Sequence, residues 1–195
     1  MKKGIMLSLC LLAGAWSWAQ GIHMGIKGGL NVSQMSAQSE QIESSSTGFH
    51  VGLLTEFKVL GKLAIQPELL FSSQGSKVQP KQLGAFDNYT NKLYYLQLPV
   101  MAKVFIYKGL YVEAGPQASL LLSAQRVIDA TNDATNNKSD YKAFDFSTNV
   151  GVGYDLLGHF FANMRYCIGM QNINDVPGGD SVKNGVFQLS IGAKL

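Results

Sequence analysis

Gly185-Val186-Phe187-Gln188-Leu189-Ser190-Ile191-Gly192-Ala193-Lys194-Leu195 decides the fold. Phe187, Leu189, Ile191, Ala193 and Leu195 fall on one face, and Gln188, Ser190, Gly192 and Lys194 on the other. This period-2 alternation predicts a strand between two unlike environments. It runs to the last residue, so a strand edge is left open there unless another strand covers it. The alternating stretch Ile22–Val32 near the other end of the chain is the natural partner. Pairing the two closes a barrel.

Between them, six further runs alternate in the same way: Thr47–Lys58, Lys62–Ser73, Lys92–Ile106, Leu110–Leu122, Phe144–Asp155 and His159–Met170. All eight outrun the average soluble strand of about five or six residues and reach the ~9–11 tilted residues that cross a bilayer. Their connections alternate in length. Val59-Leu60-Gly61, Tyr107-Lys108-Gly109 and Leu156-Leu157-Gly158 read as tight turns, each ending in the residue that accepts positive φ. Ser33–Ser46, Gln74–Asn91, Ser123–Ala143 and Gln171–Asn184 read as long polar loops. Short turns at one end and long loops at the other predict an all-β, eight-stranded antiparallel up-and-down transmembrane β-barrel. Its short turns and both termini are periplasmic, and its long loops extracellular.

The two faces decide which side meets lipid. One carries Met24, Ile26, Leu53, Leu69, Leu98, Val112, Val152, Met164 and their like. The other holds Gly, Ser, Asn and Gln with a nearly balanced set of charges: Lys27, Lys58, Lys103, Arg165 and Lys194 against Glu56, Glu68, Glu113, Asp145 and Asp155. The outside of a soluble barrel would be rich in Lys and Glu. Small residues with a few balanced charges suit a narrow interior, where an unpaired charge is costly. Aromatics lie near strand ends, Phe57, Tyr154 and Phe160 at the turn end and Phe49, Phe71, Tyr94, Phe144 and Phe187 at the loop end, as two interfacial girdles would. Lys103 and Glu113 each stand five residues from Lys108, so they should face each other and point inward. With Lys27, Glu68 and Arg165 they are expected to form an interior charge network that plugs the bore.

Composition agrees. Charged residues are 15% of 195, against roughly 25% in soluble domains, and the length suits one domain. Residues 1–19 read as a signal peptide, with Lys2 and Lys3, an apolar Ile5–Ala15 and a Ser17-Trp18-Ala19 cleavage site. The barrel domain is then 20–195. Cleavage removes Trp16, Trp18 and Cys10, and lowers the formal charge from +3 to +1 (3 − 2). Cys167 alone cannot form an intramolecular disulfide, and a charge near zero points away from nucleic acid.

Catalytic chemistry is not written into the chain. His23 and His159 belong to the turn end and His50 to the other, with no Ser–His–Asp arrangement. Gly151-Val152-Gly153 lines a strand and opens no helix, so it is not a nucleotide loop. Cys167 has no ligand at metal spacing. Asp175-Val176-Pro177-Gly178-Gly179-Asp180 reads as a turn, with a carboxylate-bound cation as the alternative. No cofactor is expected. Pro67, Pro99 and Pro116 fall inside strands, where proline marks edges or bulges; a closed barrel has no edges, so bulges are expected.

Several stretches carry a family resemblance. Gly25-Ile26-Lys27-Gly28-Gly29-Leu30-Asn31-Val32-Ser33 resembles the first strand of the PorT-like outer-membrane β-barrel proteins. Gln66-Pro67-Glu68-Leu69 is similar to their third strand, Leu96-Gln97-Leu98-Pro99 to their fourth, Tyr111-Val112-Glu113-Ala114-Gly115-Pro116 to their fifth and Arg165-Tyr166 to their seventh. The resemblance spans the mature chain and implies an eight-stranded barrel in a Gram-negative outer membrane. The family covers many roles, one of them in protein secretion, and a fold does not transfer a role. The expected partners are outer-membrane lipid, the barrel-assembly machinery and an extracellular partner met by the loops, with the barrel a monomer. A structural or surface-interaction protein without enzymatic activity is the leading expectation. A small channel, an accessory of protein secretion and a soluble lipocalin-like ligand binder are the alternatives.

Overall fold

A computed structural model describes residues 21–37, 42–79, 89–128, 134–136, 138, 141–171 and 182–195. The expected signal peptide and the Asp175–Asp180 turn lie outside the described residues. The strands are β1 (Ile22–Ala37), β2 (Ile42–Leu60), β3 (Leu63–Gln79), β4 (Tyr89–Tyr107), β5 (Leu110–Ile128), the short β6 (Ala134–Asn136), β7 (Phe144–Leu156), β8 (Phe160–Gly169) and β9 (Val182–Lys194). Apart from β6, which lies against β5 through Arg126↔Thr135, each strand pairs antiparallel with the next. β1 and β9 pair from Gly25↔Lys194 to Ala37↔Val182, closing an eight-stranded barrel. Hydrogen bonds from Lys58 N to Gly21 O and from Leu195 N to Met24 O put both described ends at the short-turn side.

The faces divide as the alternation predicts. Leu53 is 58% exposed and Leu98 53%, whereas Lys27, Glu68, Lys103, Glu113 and Arg165 are each buried inside the barrel. On the outer wall Phe49, Phe71 and Tyr94 run side by side across β2, β3 and β4, with ring centres 6.1 and 6.0 Å apart. Lys108 (φ 33°) and Gly109 (φ 92°) make one tight turn, and Leu157 (φ 52°) and Gly158 (φ 76°) begin another. Two successive positive φ values match the right-handed twist of the strands they join.

Two sequence expectations give way. The polar segments taken for long loops are partly wall: β1 continues to Ala37, β2 begins at Ile42, and β3, β4 and β5 reach Gln79, Tyr89 and Ile128. A ladder that rises clear of lipid has water on its outer face, so polar composition there does not mean loop. The prolines cause no bulge either. Pairing steps from Leu54↔Glu68 to Phe57↔Ile65 across Pro67, from Pro67↔Val100 to Leu70↔Gln97 across Pro99, and from Pro99↔Gln117 to Ala102↔Ala114 across Pro116. The register is unchanged each time. A strand residue directs its N–H at one neighbour only, so proline removes pairing on that side and leaves the other ladder whole, as in Pro116↔Thr148. The shifts in register lie elsewhere, at Lys58/Leu60 and Tyr94/Tyr95 among other places.

Candidate functional site

Side chains from alternate positions of the eight barrel strands are buried inside the bore. Its centre is built on Glu68. Lys27 Nζ lies 3.3 Å from Glu68 Oε2, and Arg165 donates from Nη1 and Nη2 to the same carboxylate at 3.0 and 2.8 Å. The remaining guanidinium nitrogen, Nε, donates to Glu113 Oε1 at 2.9 Å. Asn163 adds a hydrogen bond to Glu113 and Gln66 one to Glu68, at 2.8 and 2.6 Å. Two cations meet two carboxylates, so the quartet is neutral, and none of its four side chains is exposed.

Local register explains why Arg165 reaches Glu113. Gly151 pairs with Glu113 on one side and with Arg165 on the other, so the three stand in one row. A Cβ at 151 would lie 3.0 Å from Glu113 Oε1 and 2.6 Å from the Met164 carbonyl. Glycine in the middle strand lets the two charged chains meet over it.

Nearer the turns a second quartet forms around Glu56. Lys103 Nζ lies 3.3 Å and Lys194 Nζ 3.1 Å from Glu56 Oε2, and Lys194 also binds Asp155. Two cations again balance two carboxylates. Lys103 additionally sits over the Tyr111 ring at 4.2 Å and near the Phe161 ring at 5.3 Å, where a desolvated ammonium gains from the aromatic quadrupole. Gly192 opposite Phe161 leaves space for that ring, since a Cβ there would meet it at 2.3 Å.

Of the five residues expected to form one network, Lys27, Glu68, Glu113 and Arg165 are therefore brought together. Lys103 does face Glu113 across β4 and β5, but its ammonium joins Glu56. Arg165 holds Glu113 through Oε1, and the flexible lysine stem carries the Lys103 ammonium to Glu56 on β2, two strands away. Glu56, Lys194 and Asp155 were legible as inward charges; their grouping with Lys103 around Glu56 was not. Toward the loop end the interior is mostly uncharged polar side chains, with Asp145 among them. His50 hydrogen-bonds Asn31 Oδ1 through Nδ1 at 2.8 Å and Ser190 Oγ through Nε2 at 2.9 Å, and Asn149 donates to Gln117 at 2.9 Å. Above these, Leu93, Tyr95, Leu121 and Ala124 form a buried apolar cluster inside the wall.

The chain resembles solved outer-membrane barrels in fold. Neisserial surface protein A matches with a TM-score of 0.57 at 13% identity, over 90% of this chain and 100% of that one. Ail, the attachment invasion locus protein of Yersinia pestis, matches with a TM-score of 0.53 at 12% identity, over the same shares of each chain. No curated protein matches the chain. Residues 18–175 match the family described as outer membrane protein beta-barrel domain. With a closed eight-stranded barrel, an apolar outer wall and a charged interior, the chain belongs to the outer-membrane β-barrel domain family.

Proposed function

We propose that this protein is a non-conducting outer-membrane barrel, exported by a signal peptide cleaved after Ala19, with a structural or surface-interaction role. The observation that carries this is the stacking of two neutral charge quartets across the bore. An eight-stranded barrel has an interior just wide enough for side chains, and here Glu68, Arg165, Glu56 and Lys103 occupy it without exposure. An ion or solute crossing the lumen would have to break buried pairs, each break leaving an uncompensated charge. The work then falls to the loop end, which meets an extracellular partner, and to the wall, which holds lipid and is put in place by the barrel-assembly machinery. The resemblance of Gln66–Leu69 and Leu96–Pro99 to PorT-like barrels supports a second reading, an accessory of protein secretion. Purified protein in planar bilayers is expected to give no steady unit conductance; steady conductance would reject the plugged barrel in favour of a small channel. A deletion strain with unchanged protein secretion would reject the second reading.

A further inference from the structure

One interior carboxylate belongs to neither quartet. Among the described residues, Lys27, Lys103, Arg165 and Lys194 pair with Glu56, Glu68, Glu113 and Asp155 inside the wall, while Lys58 is exposed at the rim and Arg126 is half-buried. The carboxylate outside these pairs is Asp145, the second residue of β7, which is 4% exposed and takes part in no ion pair among the described residues. Arg126 is the basic residue placed nearest the loop end of the adjacent strand β5. It lies seven residues beyond Ser119, the partner of Asp145, or roughly 23 Å at strand rise, which is out of reach.

Asp145 lines a small interior cavity together with Tyr95, Gln97, Ser147 and Asn184. Each of these five residues is more than nine-tenths buried. Each also presents an oxygen with no hydrogen-bond partner among the described residues: Asp145 Oδ1, Tyr95 OH, Gln97 Oε1, Ser147 Oγ and Asn184 Oδ1. The orientation of Asn184 is set from behind, because its amide nitrogen donates to Gln74 Oε1 while Gln74 Nε2 donates to Ser72. The cavity holds about 10 Å³, the room of one water-sized occupant. Five buried oxygens left over around one such space are collectively expensive.

We propose that these five residues form a binding site for one hard cation of the calcium class. Calcium takes carboxylate, amide and hydroxyl oxygens in flexible geometry, with water completing the shell. The bound charge would offset Asp145 and answer the leftover acceptors together. Zinc does not fit, since it prefers three or four nitrogen, thiolate or carboxylate ligands, and Cys167 is the lone thiol beside Asp145 at the cavity. With a single carboxylate the site belongs at the weak end, with Kd of order 10⁻⁴–10⁻³ M, as in extracellular calcium modules. The proposal is independent of whether the bore conducts.

The test uses the barrel purified in nonionic detergent, wild type and Asp145→Asn, stripped with chelator. Calorimetric titration with calcium is expected to show one saturable site per wild-type chain and at least a tenfold weaker one in Asp145→Asn. Calcium at 10 mM should raise the wild-type Tm by about 3–10 °C and leave that of the variant unchanged, with sodium chloride at equal ionic strength giving no shift. Terbium in place of calcium should luminesce on tyrosine excitation, and Tyr95→Phe should lose that signal. Absence of saturable binding in the wild type would overturn the site. Equal binding by Asp145→Asn would overturn it too, by locating the ion elsewhere. A response shared by sodium would reduce it to ionic strength.

Discussion

Removing the guanidinium of Arg165 should unbalance the barrel more than any other single change in its interior. Arg165→Met keeps much of the buried stem but deletes three hydrogen bonds, two to Glu68 at 2.8 and 3.0 Å and one to Glu113 at 2.9 Å. Lys27 is then left with two carboxylates, and the quartet changes from neutral to −1. Stranding a buried charge in this way costs about 3–5 kcal/mol. Glu113→Gln tips the quartet the other way, to +1. Combining the two restores neutrality, because Lys27 and Glu68 remain as a simple pair. The double variant should therefore lose less than the two single losses added together, by about 1–3 kcal/mol. Lys103 with Glu113 makes the contrasting cycle. These residues are partners in register, yet they ionically bind different groups, so their coupling should be the smaller one. Urea unfolding of the protein in lipid vesicles, followed by tyrosine fluorescence, measures both cycles. Additivity for Arg165 and Glu113, or a larger coupling for Lys103 and Glu113, would refute the division of the lumen into two quartets.

The outer wall predicts a depth-dependent penalty: Leu53→Arg and Leu98→Arg should each cost about 2–4 kcal/mol in the same unfolding measurement, and unimpaired assembly of both would contradict lipid contact there. Gly192→Ala should displace the Phe161 ring, which a Cβ would meet at 2.3 Å, at a cost of about 1–3 kcal/mol; a crystal structure of the variant with the ring unmoved would show the space to be idle. Cleavage after Ala19 should give a mature chain that begins at Gln20 and has no tryptophan emission. Met1 found at the N-terminus of envelope protein would disprove processing.

The alternation of Phe187, Leu189 and Ile191 with Gln188, Ser190 and Lys194 was enough to tell which face of β9 would be wet and which greasy. Side-chain direction in a strand depends only on the residue's own place in the pleat. The same local rule gave the tight turns and the pairing of Lys103 with Glu113, because a short hairpin sets its register from its turn. Polar composition could not tell loop from water-exposed wall, so β1 to β5 run further than their sequences indicate. Bulges were expected at the prolines because the loss of one N–H says nothing about the intact ladder on the strand's other side. Ion partners lay still further out of reach. Glu68 meets Arg165 across 97 positions of chain, and Glu56 meets Lys194 across 138. Strand tilt and stagger around a closed barrel determine which inward charges share a level, and these are properties of all eight strands at once. Asp145 looked like one of five balancing carboxylates in the sequence. Only the closed lumen leaves it outside both quartets.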